Sequence, residues 1–158
     1  MATWGEFAAA VPQLAERGRQ RIEAHELILL GTIKADGSPR ISPVEPDFVD
    51  GELMMGMMWQ STKALDLLRD PRCVVHSVVT DRRGTEGEFK IIGEARAIVD
   101  VDLTERYCQV FEHRMGFEPE GDFHLSAIDI HRVWWFKYDE EQRLEERWTA
   151  PAGEPDVK

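Results

Sequence analysis

Two Asp-Gly pairs, Asp36-Gly37 and Asp50-Gly51, constrain this chain more than any other feature, because each stands between apolar, strand-forming runs. Asp-Gly supplies the positive backbone dihedrals of a tight turn, so each pair predicts an antiparallel hairpin. The first hairpin joins residues 27–33 to residues 40–44. The second sends out Gly51-Glu-Leu-Met-Met-Gly-Met-Met-Trp59, an apolar strand that runs straight into Gln60, Ser61, Thr62 and Lys63. A strand ending in two hydroxyls and a cation needs a physical reason.

Further β-rich runs cover 73–80, 89–99 and 128–138, with 144–148 as one more candidate, and 81–87 reads as an exposed loop. Helical patterns are fewer. Thr3 and Glu6 fit a capping box ahead of Trp4, Phe7, Val11 and Leu14, and Pro12 breaks the stripe before Ile22. Residues 62–69 read as a short helix with Ser61 as N-cap and Leu65 and Leu68 on one face, stopped at Asp70-Pro71. Leu103, Tyr107, Val110 and Phe111 mark a last helix. About six strands in hairpins, with no repeat and too few long helices for βαβ alternation, predict a mainly β (α+β) fold. That fold is a closed or half-closed antiparallel barrel with peripheral helices. The expected division is a helical segment over 1–25, the barrel over 26–149, and a Pro- and charge-rich tail over 150–158.

In the 158-residue chain, 19 basic against 30 acidic residues give a net charge of -11, which opposes clamping a nucleic-acid backbone. Cys73 and Cys108 have no metal or disulfide spacing and read as buried, reduced thiols. The first ten residues, MATWGEFAAA, lack a basic region followed by a long apolar one, and no window is long and apolar enough to span a membrane. A cytoplasmic protein without membrane or nucleic-acid partners is the expectation. No Gly-x-Gly-x-x-Gly turn, Walker-type loop or Gly-x-Ser-x-Gly elbow occurs.

The chemistry concentrates where the methionine strand ends. Ser61 and Thr62 sit where a helix starts, so their hydroxyls and the free N–H groups of the first turn gather at the positive end of the helix dipole. Lys63 adds a full charge, and a phosphate monoester is what such a place binds well. An ordinary N-cap with a solvated lysine explains the same residues. On the strand, Met55, Met57 and Trp59 share one face and Met54, Met58 and Gln60 the other. A barrel core accounts for one face; the second predicts a dimer interface or a flat ligand.

These residues, in order, resemble the flavin-binding split barrels of the pyridoxamine 5'-phosphate oxidase-like family, in its short flavin- or deazaflavin-dependent oxidoreductase branch. The resemblance spans residues 27–100. It is carried by Gly31-Thr-Ile-Lys-Ala-Asp-Gly-Ser-Pro-Arg-Ile-Ser-Pro-Val44, Gln60-Ser-Thr-Lys-Ala-Leu-Asp-Leu-Leu-Arg-Asp-Pro-Arg72, His76-Ser77 and Glu88-Phe-Lys-Ile-Ile-Gly-Glu-Ala95. It implies a homodimer of six-stranded antiparallel split β-barrels holding FMN, or alternatively the deazaflavin coenzyme F-420, at the subunit interface. It implies hydride transfer between the bound flavin and a small molecule. Ser61, Thr62 and Lys63 match the phosphate-binding turn, and Trp59 and Gln60 lead into it. Arg40, Ile41, Ser42 and Pro43 match the strand along the ring edge, where Arg40 neutralises phosphate or polarises the ring. Glu88 falls near a glutamine of the larger oxidases, a departure because a carboxylate only accepts. Arg143-Leu-Glu-Glu-Arg-Trp148 lacks the histidine of the vitamin-B6 oxidases, so another substrate is expected. A deazaflavin tail wants a basic rim, for which Arg17, Arg19 and Arg21 are candidates.

His76, His124 and His131 match no metal-ligand spacing, and no metal site is expected. Some relatives bind haem, for which His76, His113 or His124 would be the axial candidates; a non-catalytic flavin- or haem-binding protein is the alternative to an enzyme. Trp134, Trp135, Phe136 and Tyr138 read as core and dimer interface in preference to a base-stacking platform. The acidic run at 139–141, with Glu145 and Glu146, reads as a solvated turn and edge.

Overall fold

A computed structural model describes residues 1–140 and 142–152. Thr3 closes the predicted capping box with Glu6 and starts helix α1 (Trp4–Ala10); Pro12 opens α2 (Pro12–Glu23). The first Asp-Gly turn joins β1 (Ile28–Ile33) to β2 (Pro39–Val44). The second joins β3 (Pro46–Val49) to β4 (Glu52–Met58), the methionine strand. Then follow α3 (Thr62–Arg69), β5 (Arg72–Ser77), β6 (Glu88–Ala97), α4 (Val101–Met115), β7 (Phe123–Asp139) and β8 (Gln142–Thr149).

The strands form one antiparallel sheet in the order β2-β1-β5-β6-β7-β4-β3, with β8 also on β7. Its two ends, β2 and β3, are consecutive in the chain with only Glu45 between them, so the sheet has to curl until its edges approach. No ladder zips those edges together among the described residues, and the barrel stays split. There are eight strands where about six were expected, with 144–148 as one more candidate. Glu45 alone separates β3 from β2, and the 144–148 candidate is β8, a polar edge strand without apolar alternation. Seventeen-residue β7 pairs β6 along one side, while β4 and β8 share the other at opposite ends.

The core inside the barrel joins Leu30, Met55, Phe89, Ile91 and Ile130 to Trp4, Phe7, Leu14 and Ile22 of the first two helices. Phe7 and Phe89 are fully buried, so α1 and α2 plug the barrel. The second face of β4 has a cover that the sequence did not suggest. Helix α4 lays Tyr107 against Met54, Val49, Leu125 and Ala127, so Met54 is fully buried without a dimer interface or a flat ligand. Of the methionines of β4 only Met58, 75% exposed, escapes, and Gln60 on the same face is exposed as well. Trp135 lies in the core, whereas Trp134 and Phe136 stack on the opposite face of β7. Of the expected tail at 150–158, residues 153–158 lie outside the described residues, as does Glu141 of the acidic turn. Among the described residues, no helix is long and apolar enough to cross a membrane.

Candidate functional site

At the end of β4 the chain reverses through Gln60, whose φ of 57° lies in the left-handed region. The reversal is held from two sides. Ser61 N–H donates to Met58 O at 3.1 Å, and Gln60 N–H donates to His124 Nε2 at 3.2 Å. The Trp59 indole lies flat on the His124 ring, 4.5 Å between centroids and 10° from parallel. Strand β7 thereby aims the start of α3.

Ser61 is the N-cap of α3, in the extended conformation an N-cap needs, yet its hydroxyl makes no capping hydrogen bond. The oxygen is buried and has no partner. Thr3 in α1 and Asp100 in α4 each accept a first-turn N–H in the ordinary way. The donors at the start of α3 are thus free of side-chain acceptors, and Lys63 has no ion-pair partner among the described residues.

One turn further along, the pattern reverses. Asp66, 4% exposed, accepts from Thr32 Oγ1 at 3.0 Å, Arg40 Nε at 2.7 Å and Arg69 Nη2 at 3.2 Å. Burial pushes its carboxyl up, but the hydrogen bonds from Arg40, Thr32 and Arg69 outweigh that and hold its pKa below the ordinary aspartate value. The carboxylate ties β1, β2 and α3 together, and it brings the Arg40 guanidinium to the same helix as Ser61 and Lys63. Arg40 keeps its terminal nitrogens out of any hydrogen bond among the described residues.

Trp59 and Gln60 thus lead into α3 and Ser61, Thr62 and Lys63 open it, while Arg40 reaches the same helix one turn on, at Asp66. Alternation along β2 puts Ser42 on the Arg40 side and turns Ile41 and Pro43 to the outer face of the sheet. Glu88 does not join them. Helix α3 packs on β1 and β4, whereas Glu88 opens β6, 3.3 Å from His76 Nε2 and 3.2 Å from Lys90 Nζ. Cross-strand pairing aligns Ile41, Gly31, Val74 and Ile92 in one row on that outer face, beside a row of Pro43, Leu29, His76, Lys90 and Trp134. Ile41, Val74 and Ile92 are exposed there.

Leu65 and Leu68, expected on one face of α3, are both exposed, and the helix buries Ala64, Asp66 and Leu67, because three donors make Asp66 acceptable inside. The arginines of α2 form no free basic rim: Arg17 pairs with Glu146, Arg19 with Glu23 and Arg21 with Glu86. Thr32, Asp66, Arg69 and His124 are participants that no motif announced. The one available signal was an aspartate within an apolar helix, one turn before Arg69. Burial pushes the Cys73 thiol up to about 12 and also raises Cys108, so neither is a ready thiolate.

Residues 14–139 match the family model described as pyridoxamine 5'-phosphate oxidase, and the chain belongs to that family. No curated protein sequence matches it. Among solved structures, a heme-binding protein from Mycobacterium smegmatis superposes with a TM-score of 0.64 at 16% identity, covering 84% of this chain; the chain spans 57% of that protein's length. A Clostridium acetobutylicum protein related to general stress protein 26, of the pyridoxinephosphate oxidase family, superposes at 0.59 with 14% identity, covering 85% of this chain and 94% of its own. The heme storage protein HutZ from Vibrio cholerae also reaches 0.59 at 14% identity, over 77% and 89% of the two chains. These likenesses define a shared split-barrel fold.

Proposed function

We propose that this protein is a flavin-dependent oxidoreductase that binds FMN at a seam between two copies of the chain. The observation that carries the reading is the Ser61 hydroxyl, buried at the start of α3 and, like the nearby Lys63, without a partner among the described residues. Hydroxyls, backbone N–H groups and an ammonium are all donors to anions, and a phosphate monoester presents only acceptors and negative charge. The donor set therefore fits the cofactor phosphate. Ser61, Thr62 and Lys63 bind it, and Arg40, steadied by Asp66, adds positive charge nearby. Residues 40–43, Trp59 and Gln60 border the ring.

A second copy accounts for the outer sheet face, where Ile41 is 73% and Ile92 51% exposed in one cross-strand row. Glu88 lies on that face and meets the cofactor from across the seam. Bound flavin would supply hydride transfer to or from a small molecule; the chain's own residues position it and neutralise its phosphate. FMN is favoured over the deazaflavin F-420 because Arg17, Arg19 and Arg21 are already paired.

Haem storage is the second reading, suggested by the descriptions of two fold relatives. Against it, the Nε2 atoms of His76 and His124 face Glu88 and the Gln60 N–H respectively. Absorbance of the purified protein separates the two: a flavin band that bleaches with reductant and returns with an electron acceptor supports the oxidoreductase, and a Soret band supports haem. Lys63→Ala should weaken FMN by about 1.5–3 kcal/mol, the range for hydrogen bonds to charged groups. An unchanged dissociation constant removes Lys63 from the site.

A further inference from the structure

Between β4, α4 and the segment leading into β7 lies a recess of about 370 Å³. Its walls are aromatic. Tyr107 stands 6.1 Å from Phe111 and 6.0 Å from Phe123, Phe117 meets Phe111 edge-on at 5.7 Å, and Trp59 closes one side. Gly56 leaves the floor open for Tyr107, since a side chain there would collide with the phenol oxygen. That hydroxyl makes no hydrogen bond among the described residues, and burial, helped by the charge of Asp47, pushes its pKa up, so it keeps its proton.

The rim is acidic. Glu45, Glu120 and Asp122 line the recess, and no Lys, Arg or His does among the described residues. Glu45 is itself paired, accepting from Arg114 Nη1 at 3.2 Å, while both oxygens of Asp47 hold the same guanidinium at 2.9 Å and it lies 5.4 Å from the Phe111 ring centre. Glu120 and Asp122 have no ion-pair partner among the described residues.

We infer that this recess binds an organic cation with an apolar body, such as a quaternary ammonium or a protonated aromatic amine. Ring faces attract a positive charge that has shed its water, and Glu120 and Asp122, the rim carboxylates without an ion-pair partner among the described residues, neutralise it. An anion is repelled, and a neutral apolar guest would cover the carboxylates without compensating them. Trp59 is shared with the approach to α3, so the recess borders the proposed flavin site. Its role as the substrate subsite rests on the flavin reading, whereas cation binding itself does not.

The test is calorimetric titration of the full chain, with and without FMN, using para-hydroxyphenyltrimethylammonium and its uncharged isostere para-tert-butylphenol. The cation should bind at least about tenfold more tightly than the isostere. Glu120→Gln with Asp122→Asn, both on the exposed rim, should reduce that preference to about twofold or less. Equal affinities in the wild type, or a preference that survives the double substitution, overturn the inference. Cation preference without FMN binding keeps the recess and rejects the flavin reading; FMN binding without cation preference does the opposite.

Discussion

The first and second turns of α3 treat their polar groups in opposite ways. Asp66, in the second turn, has three donors from three elements, while Ser61, at the first, has a buried hydroxyl with none. Buried polar groups in folded proteins are normally satisfied, so a saturated carboxylate reads as scaffold and an orphaned hydroxyl beside a free cation reads as chemistry in waiting. Asp66 ties the second turn to β1 and β2, while the Ser61 hydroxyl at the first has no partner among the described residues.

Removing the scaffold carries the largest expected effect. Asp66→Ala strands Arg40 and Thr32 and should cost about 3 kcal/mol of stability, read by urea denaturation. A loss below about 1 kcal/mol would mean that the second turn is no anchor. Next comes a pair of caps. Asp100→Ala should destabilise α4 by about 1 kcal/mol, because that carboxylate accepts the Leu103 N–H at 2.7 Å. Ser61→Ala should leave the stability of the free protein unchanged and weaken FMN by about 1 kcal/mol. Equal losses of stability in both variants would erase the distinction between a used and an unused cap.

The smallest effect is on pH. In the loop after β5, hydrogen bonds from Thr85 and the Arg83 N–H hold Asp81 at about 2, and the N–H groups of Asp81 and Thr80 hold Glu86 at about 2. Each carboxyl is more acidic folded than unfolded, so its contribution is complete above the ordinary carboxylate range and fades as pH falls towards 2. Protease cleavage within 81–87 should accelerate across that window. Cleavage that stays flat would show that these carboxylates do not hold the loop.

Hairpins were the most legible part of the chain, since both Asp-Gly turns carry their mechanism in two residues and the Thr3–Glu6 box in four. The cover over Met54 was not legible. Tyr107 reaches it from α4, about fifty residues away in sequence, through space left by Gly56, and no local period encodes such a contact. The hydroxyls and lysine at the start of α3 were visible as a motif, but the partners of Asp66 were not. A carboxylate becomes acceptable inside a helix face only once β1 and β2 deliver Thr32 and Arg40 to it. Other tertiary contacts consumed Arg17 and Arg21, which sequence left looking free, while Arg19 pairs with Glu23 one turn along its own helix.

Comparing FMN with riboflavin, its phosphate-free counterpart, by fluorescence titration of the same protein isolates what the first turn of α3 does. Phosphate capture there predicts that FMN binds about thirtyfold more tightly or better, the equivalent of about 2 kcal/mol of charge-assisted hydrogen bonding. Equal affinities for the two flavins would contradict it, because the unpartnered hydroxyl and the free ammonium would then be serving no phosphate.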